Sequence, residues 1–192
     1  MYKSKLLFAA IFTSFFASQL ASAEPVKYQL ESNHAFVVWS ASHFGFSDQM
    51  GKFPEIAGEI IFDEKKMSES SVDVTIKIDS LVTGSEKFDA HLKSADFFDV
   101  KKFPTAKFVS KKVTATGKNK AKVEGELTLH GVTKTVILEV KINKKGTSLV
   151  TQKETVGFSA TAQIKRSEFG IDYAAPGISD EVKLKIEVEA NK

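Results

Sequence analysis

The 192-residue sequence contains no cysteine, so neither a disulfide nor a lipid-anchored cysteine is available, and a thiol-based mechanism is excluded. Stability must therefore come from packing alone. It also lacks a serine nucleophile motif of the form G-x-S-x-G and a glycine-rich phosphate-binding loop. Its four histidines are scattered at positions 34, 43, 91 and 130, without the spacing typical of a metal site. The residues therefore favour a binding protein over the common classes of enzyme.

Long apolar runs are also missing after the first residues. Lys3 and Lys5 precede an apolar stretch over residues 6–16, and Ala21-Ser22-Ala23 follows before Glu24. This pattern is typical of a secretory signal peptide, and the apolar stretch is too short to span a bilayer. We predict cleavage after Ala23, which divides the chain into a signal peptide, 1–23, and one domain, 24–192. The predicted location is the periplasm.

Excess charge is absent from the predicted mature domain. The full chain has 27 lysines and arginines against 24 acidic residues, and the signal peptide removes two lysines. The remaining charge of about +1 gives no electrostatic reason to expect nucleic acid as a partner. Subtracting 23 from 192 leaves 169 residues, which suffice for one domain with a proper core.

What the sequence has in abundance is alternation of apolar and polar residues. Apolar side chains recur at every second position in several segments, for example at Val72, Val74, Ile76 and Ile78, and again at Val182, Leu184, Ile186 and Val188. Turn signals such as His130-Gly131 separate these segments. The pattern predicts about eight or nine antiparallel strands, forming a closed barrel or a sandwich. An eight-stranded barrel encloses room for packed side chains or one small ligand.

One segment, residues 83–104, has a helical pattern instead. Thr83 and Glu86 have capping-box spacing, and Phe88, His91 and Leu92 share one helical face. We expect this helix to lie across the sheet or over the mouth of a barrel, either as a plug for an ordinary core or as part of a binding site. The strand at residues 34–41 is apolar on both faces, with Phe36 and Val38 on one and Val37 and Trp39 on the other. Such a strand must be covered on both sides, so we expect the helix to cover one face and the barrel interior to lie against the other.

Two polar residue types are candidates for contacts with a ligand. His34, His43 and His91 could converge at one end of a barrel as ligands or general bases, although the pattern favours hydrogen-bonded histidines of the rim or core. His130 is expected to be a turn residue. Arg166 could bind an anionic head group, or it could form a salt bridge with Asp180 or Glu181.

Taken in order, these motifs resemble the YceI-like family of exported, lipocalin-like barrels, which includes polyisoprenoid-binding proteins. The matching pieces are His34 in the first paired strand, His43-Phe44-Gly45-Phe46, the run from Lys87 to Val100, Phe103-Pro104, the run from Leu127 to Lys134, the run from Arg166 to Ile171, and Ser179-Asp180-Glu181-Val182. The resemblance implies an all-β fold with a small helical insertion, an extended eight-stranded antiparallel lipocalin-like β-barrel. Its apolar lumen would hold a long-chain amphiphile such as a polyisoprenoid, an isoprenoid quinone or a fatty-acyl lipid.

We expect no cofactor other than this lipid and, from the scattered histidines and the missing nucleophile motifs, no metal and no catalytic residue. A transient contact with a membrane or with a membrane redox partner, and a monomer or homodimer, are compatible with it. The expected ligand-binding residues are His34, Phe36, Val38, His43, Phe44, Phe46, Met50, Phe53, Phe88, His91, Leu92, Phe97, Phe98, Phe103, Phe108, Phe158, Arg166, Phe169, Ile171 and Tyr173. Two alternatives stay open, a hydrolase or isomerase of such lipids using His34, His43 and His91, and a stress-related binding protein for small amphipathic molecules.

Overall fold

In the computed structural model, which describes residues 24–192, nine antiparallel strands form one sheet. The strands are β1 (Val26–His43), β2 (Ser47–Phe53), β3 (Ile56–Phe62), β4 (Ser71–Lys77), β5 (Thr105–Gly117), β6 (Lys120–Leu129), β7 (Val132–Thr147), β8 (Glu154–Lys165) and β9 (Glu181–Asn191). The helix α1 (Glu86–Lys93) lies between β4 and β5, and short 3-10 turns occupy Met67–Glu69, Ile78–Ser80 and Arg166–Phe169. The predicted signal peptide lies outside the described residues.

The long strand β1 closes the sheet into a barrel. One of its edges pairs with β9. Its other edge pairs with β3 through residues 26–29 and with β2 through residues 37–43, so that β2 and β3 together complete one position around the barrel. Pro54 and Glu55, which separate β2 from β3, lie outside the ladder. The predicted closed, eight-stranded antiparallel barrel with a small helical insertion is therefore confirmed.

Alternation along the strands places apolar side chains inside the barrel. In β6, Ala121, Val123, Leu127 and Leu129 are buried while the intervening lysines and glutamates are exposed. Gly125 lies in the same inward-facing row. A Cβ at this position would lie 2.4 Å from the Phe108 ring on the neighbouring strand, so the row requires glycine there. Removing each valine or leucine side chain from water contributes about 1.5–3 kcal/mol, so this period-two pattern drives the closure.

The helix α1 begins later than its sequence pattern predicted. Ser85, and not Thr83, is the N-cap, and its side chain accepts a hydrogen bond from the Phe88 amide. The amide and hydroxyl of Thr83 both donate to Asp89 Oδ1, at 2.7 and 2.6 Å. Because this carboxylate engages both donors, Thr83 is held outside the helix and the expected capping box does not form. None of the helices among residues 24–192 is long and apolar enough to cross a membrane.

The two apolar faces of β1 have different surroundings from those expected. Val37 and Trp39 face the interior, and Phe88 of α1 packs edge-on against Trp39 with ring centroids 6.4 Å apart. The helix thus covers the inner side of β1. Phe36 and Val38 lie on the outer side, half-buried, and Lys52 Nζ lies 3.9 Å from the Phe36 ring centroid. The expectation that the helix covers a second, outer face of β1 is therefore wrong.

Candidate functional site: the cavity inside the barrel

The barrel encloses a cavity of about 580 Å³ whose wall is almost entirely apolar. All nine strands and α1 contribute side chains to this wall. Its volume falls within the range of about 300–1,000 Å³ that is typical of small-molecule sites. Val136, Leu138, Val140 and Ile142 line it along β7, which corresponds to about 20 Å along the strand. The cavity is therefore elongated along the barrel.

One end of the cavity reaches the surface beside α1. Its wall there includes the exposed side chains of His43, Phe44, His91 and Tyr173. His91 packs edge-on against Phe97 and Tyr173, and its Nε2 lies 3.3 Å from Asp96 Oδ2. We call this end the α1 mouth. Aromatic rings and two histidines surround it, so it combines an apolar surface with a few polar atoms.

The opposite end of the barrel is closed by a separate buried cluster. Tyr28, Phe62, Val156 and Phe158 belong to it, and the rings of Phe62 and Phe158 meet edge-on at 5.5 Å. The Tyr28 hydroxyl donates a hydrogen bond to Glu154 Oε1. Burial, together with this carboxylate, raises the pKa of Tyr28, while the hydrogen bond from Tyr28 lowers the pKa of Glu154. A buried neutral phenol therefore seals this end.

Most of the ligand-binding residues expected from the sequence lie on the cavity wall. They are His43, Phe44, Phe53, Phe88, His91, Leu92, Phe97, Phe98, Phe108, Phe158, Arg166, Ile171 and Tyr173. The helix and the segment after it supply five of them, because Phe88, His91 and Leu92 share the inward face of α1 and Phe98 packs edge-on against Phe53. The structure thus brings the helical segment and the barrel interior together.

Five expected residues on or near β1 do not line the cavity, which corrects their assignment. Phe36 and Val38 lie on the outer side of β1, as described above. His34 is exposed and its ring contacts the Glu31 carboxylate on the same strand. Phe46 and Met50 lie in or near the β1–β2 turn with 90% and 60% of their surface exposed.

Phe103 and Phe169 are also away from the cavity wall. Phe103 packs against the ring of His130, which lies in the β6–β7 turn, and the two ring centroids are 4.5 Å apart. Phe169 is only 1% exposed and belongs to the packed core, where its carbonyl oxygen lies 3.0 Å from His130 Nδ1. His130 has a φ of 51°, which confirms its prediction as a turn residue. These three residues join three connections at the α1 end of the barrel, those between α1 and β5, β6 and β7, and β8 and β9.

Arg166 lines the cavity but its donors are directed elsewhere. Its guanidinium donates to four backbone carbonyl oxygens, those of Ser179, Ile171, Tyr173 and Ile178, at 2.8–3.0 Å. Asp180 instead accepts from the amide and hydroxyl of Ser167. Burial lowers the pKa of Arg166, and the nearby Asp180 carboxylate opposes this shift. Neither the expected salt bridge to Asp180 or Glu181 nor a free head-group contact is formed; Arg166 fixes the β8–β9 loop.

The three histidines proposed for catalysis do not form a cluster. His34 precedes His43 by nine residues on β1, which corresponds to about 30 Å along the strand, and its side chain points outward. Only His43 and His91 lie on the cavity wall. Within residues 24–192, no group of three or more histidine, aspartate or glutamate side chains is placed to hold a metal ion.

Sequence reasoning missed part of the wall. Trp39, Gln49 and the inward row of β9, Val182, Leu184, Ile186 and Val188, all line the cavity. The β9 row was recognised as an apolar strand face, and the closed barrel turns that face inward. Trp39 was recognised as one of two apolar faces of β1, but periodicity alone did not say which face was internal.

This geometry defines a lipocalin-like barrel with an elongated apolar cavity open beside a short helix. A family model described as the YceI-like domain matches residues 28–190. The chain is 39% identical to a UPF0312 protein of Pseudomonas putida (strain W619), over all of this chain and 99% of that protein. It therefore belongs to the YceI-like family.

Solved structures agree with this assignment. BcnA of Burkholderia cenocepacia superposes with a TM-score of 0.76 at 27% identity, covering 84% of this chain and 99% of that one. A polyisoprenoid-binding domain from Saccharophagus degradans superposes with a TM-score of 0.64, covering 85% of this chain and 97% of that domain. At 14% identity, the second likeness concerns the fold alone.

Proposed function

We propose that this protein is an exported, periplasmic carrier that holds one long-chain amphiphilic lipid inside its barrel and does not chemically convert it. The lipid would be of the polyisoprenoid, isoprenoid-quinone or fatty-acyl type. The observation that carries the proposal is the 580 Å³ apolar cavity, closed at one end and open at the α1 mouth. The likeness in fold to a domain named as polyisoprenoid-binding supports it.

The dimensions and surface of the cavity suit one apolar chain. An extended polypeptide gains about 3.5 Å per residue, that is per three chain bonds. A wall of about 20 Å along β7 therefore matches about 17 bonds of an extended chain. Each buried methylene contributes about 0.8 kcal/mol, so ten carbons contribute about 8 kcal/mol before the cost of association is subtracted. The apolar chain alone can thus drive binding.

Turnover of the lipid has weaker support. A hydrolase or isomerase needs a nucleophile or base held by a partner group near the reacting atom. His91 at the mouth is near Asp96, but its side chain is 45% exposed to solvent, and His34 lies on the outer surface. We therefore assign His43 and His91 to the rim of the binding site and propose binding without chemistry.

The proposal is tested by extracting the purified protein with organic solvent and identifying the released molecule by mass spectrometry. The delipidated protein is then titrated with the same molecule, and the mixture is analysed for products. We expect one lipid per barrel and its recovery unchanged. His43→Ala and His91→Ala should alter affinity modestly and leave the lipid intact. A product formed by the wild type and abolished by either substitution would overturn the carrier function in favour of an enzyme.

A further inference from the structure

Three aromatic side chains are exposed at the open end of the cavity. In the β1–β2 turn, Phe44 is 55% exposed and Phe46 is 90% exposed, and in the β8–β9 loop Tyr173 is 44% exposed. We call these three side chains the aromatic rim. Phe44 and Tyr173 also line the α1 mouth, whereas Phe46 does not reach the cavity wall, so contact with a ligand in the cavity does not account for it. Large apolar side chains exposed together usually mark a surface that another molecule covers.

The β1–β2 turn holds Phe46 in its exposed position. Phe44 and Gly45, the two central residues of the turn, have φ of 52° and 74°, and the Phe46 amide donates to the His43 carbonyl oxygen at 3.0 Å. Turns with positive φ at both central positions favour asparagine and glycine, so the turn conformation does not itself require the Phe44 side chain. The exposure of Phe46 therefore belongs to a defined, hydrogen-bonded turn.

Phe44 connects this turn to the β8–β9 loop. Its amide donates to the Gly177 carbonyl oxygen at 2.7 Å. A Cβ at Gly177 would lie 2.3 Å from the Phe44 ring, so glycine is what lets the ring lie against this backbone. The turn that carries Phe46 and the loop that carries Tyr173 are thus joined beside the cavity opening. The aromatic rim is one surface and not three separate side chains.

The charges beside the aromatic rim are mainly negative. Three aspartates lie next to rim residues or to His91 at the mouth: Asp48, Asp96 and Asp172. On α1, Lys87 lies one helical turn before His91. Residues 42–51 and 167–180, which carry the rim, contain no lysine or arginine. Because an anionic membrane attracts clusters of lysine and arginine, the surface that fits this rim carries little net charge.

The ligand proposed above needs a source that brings it to the mouth. Each methylene exposed to water costs about 0.8 kcal/mol, so a long-chain lipid is held in a bilayer far more than in solution. The barrel is closed at the Tyr28 end, and its cavity reaches the surface at the α1 mouth. Contact between this mouth and a bilayer lets the chain pass from one apolar environment to the other without crossing water.

We propose that the aromatic rim docks the α1 mouth on the surface of a bilayer with little net charge, and that the lipid enters the barrel there. Phe46, at the tip of the turn, enters the apolar edge of the bilayer. Phe44 and Tyr173 lie at the level of the head groups, where aromatic side chains are favoured. This inference rests on the proposed lipid-binding function and adds the partner surface and the residues that contact it.

Transfer of cis-parinaric acid, a fluorescent long-chain fatty acid, from the loaded protein to phosphatidylcholine vesicles tests the docking. Release through water has a rate set by dissociation alone, whereas transfer during contact becomes faster as the vesicle concentration rises. We expect the second behaviour. Replacing half of the phosphatidylcholine by phosphatidylglycerol should not make the transfer faster.

Phe46→Asp separates docking from binding. The carboxylate opposes entry into the bilayer, so the transfer rate at a fixed vesicle concentration should fall by about five- to tenfold. The affinity for parinaric acid in solution should stay unchanged, because Phe46 does not line the cavity. Phe46→Leu keeps an apolar side chain and should retain most of the rate.

Leu149→Asp is the matched control at the other end of the barrel. Leu149 lies in the β7–β8 turn and is 92% exposed, so the same change from an apolar residue to a carboxylate is made far from the mouth. Its transfer rate and its affinity should equal those of the wild type. Thermal melts of the three variants should coincide with the wild-type melt, because each substitution is at an exposed turn position.

The outcomes separate the docking from the proposed function. A rate that does not depend on vesicle concentration, or equal losses in Phe46→Asp and Leu149→Asp, would show that the rim does not dock while lipid binding stands. A faster transfer to phosphatidylglycerol-containing vesicles would overturn the preference for a surface of little charge. If sedimentation shows a wild-type dimer that Phe46→Asp dissociates without changing the transfer, the rim is an interface between two copies of the chain. If parinaric acid does not bind the wild-type barrel, the proposed function fails for fatty-acyl ligands, and flotation of the wild type but not of Phe46→Asp with phosphatidylcholine vesicles decides the docking by itself.

Discussion

The Tyr28 hydroxyl donates a 2.5 Å hydrogen bond to Glu154 Oε1, joining two residues that are 126 positions apart in the chain. Tyr28 is near the start of β1 and Glu154 is the first residue of β8, so the bond ties together two strands at the closed end of the barrel. Tyr28 is completely buried, and an unpaired hydroxyl there would be costly. The Glu154 carboxylate therefore helps to keep this end of the cavity sealed.

Glu154→Gln should destabilise the protein at neutral pH and have little effect in acid. The hydrogen bond from Tyr28 lowers the pKa of Glu154 in the folded state. A carboxyl whose pKa is lowered by folding contributes stability above its ordinary pKa, and this contribution is lost as the pH falls through the folded value. Thermal melts at pH 7 and at about pH 3 should show the difference between wild type and variant shrinking in acid. Glu189→Gln, on the exposed side of β9, is the control, and an equal difference at both pH values would argue against the role of Glu154.

Arg166→Lys should loosen the β8–β9 loop without affecting lipid recognition directly. Lysine keeps the positive charge but cannot donate to the four carbonyls that the guanidinium reaches. We expect a loss of about 1–3 kcal/mol in the free energy of unfolding, measured by denaturant titration. Lys165→Gln, one residue earlier and exposed, should be nearly neutral. An unchanged unfolding free energy combined with a large loss of lipid affinity would instead make Arg166 a ligand contact.

Much of this architecture could be predicted from the sequence, because period-two alternation is local information. It identified the strands, and helical spacing identified α1 and its inward residues Phe88 and His91. The role of Arg166 was not predictable in this way, because its partners are backbone carbonyls of a loop and carry no sequence signal. For β1, both faces are apolar, and only the curvature of the closed barrel decides that Trp39 points inward and Phe36 outward.

Phe98→Asp should weaken lipid binding more than folding, whereas Val156→Asp should chiefly unfold the protein. Phe98 is half-buried on the cavity wall, packed against Phe53, in the segment just after α1. Its new carboxylate can turn to water in the empty barrel and would be desolvated by a bound chain. Val156 is fully buried in the closed end and does not line the cavity. A charge buried there without a partner costs several kcal/mol.

Thermal melts of the two delipidated variants and a titration with a fluorescent long-chain lipid measure this contrast. Equal losses of melting temperature would place Phe98 in the structural core. Unchanged affinity in a folded Phe98→Asp variant would remove the segment after α1 from the binding site.

The mature protein should begin at Glu24 and be recovered from the soluble periplasm. The basis is the apolar stretch over residues 6–16 followed by Ala21-Ser22-Ala23. Expression of the full chain, periplasmic release by osmotic shock, and intact-mass measurement check both the cleavage site and the location. Ala23→Arg should block processing at this position, because the cleavage site requires small residues. An unprocessed wild-type chain that stays with the membrane fraction would contradict the export of the carrier.

Gly51→Ala should destabilise the protein and disturb the cavity wall by displacing Trp39. The added methyl group would lie 2.7 Å from three atoms of the indole, closer than van der Waals contact permits, so the ring has to move. Overpacking of this kind typically costs about 1–3 kcal/mol of stability. The displaced ring would also change the shape of the cavity wall, which Trp39 helps to form. We therefore expect a lower melting temperature, a changed emission spectrum of Trp39 and a weaker affinity for a fluorescent long-chain lipid, each relative to wild type.

Gly157→Ala on β8 provides the matched control for this substitution. A Cβ at Gly157 would meet its neighbours at 3.9–4.0 Å, which is ordinary van der Waals contact, so the same chemical change is accommodated there. Its melting temperature, Trp39 emission and lipid affinities should stay close to those of the wild type. If Gly51→Ala behaves like Gly157→Ala in all three measurements, Trp39 is free to adjust. The close fit between the glycine and the indole would then not be what fixes the position of the ring in the cavity wall.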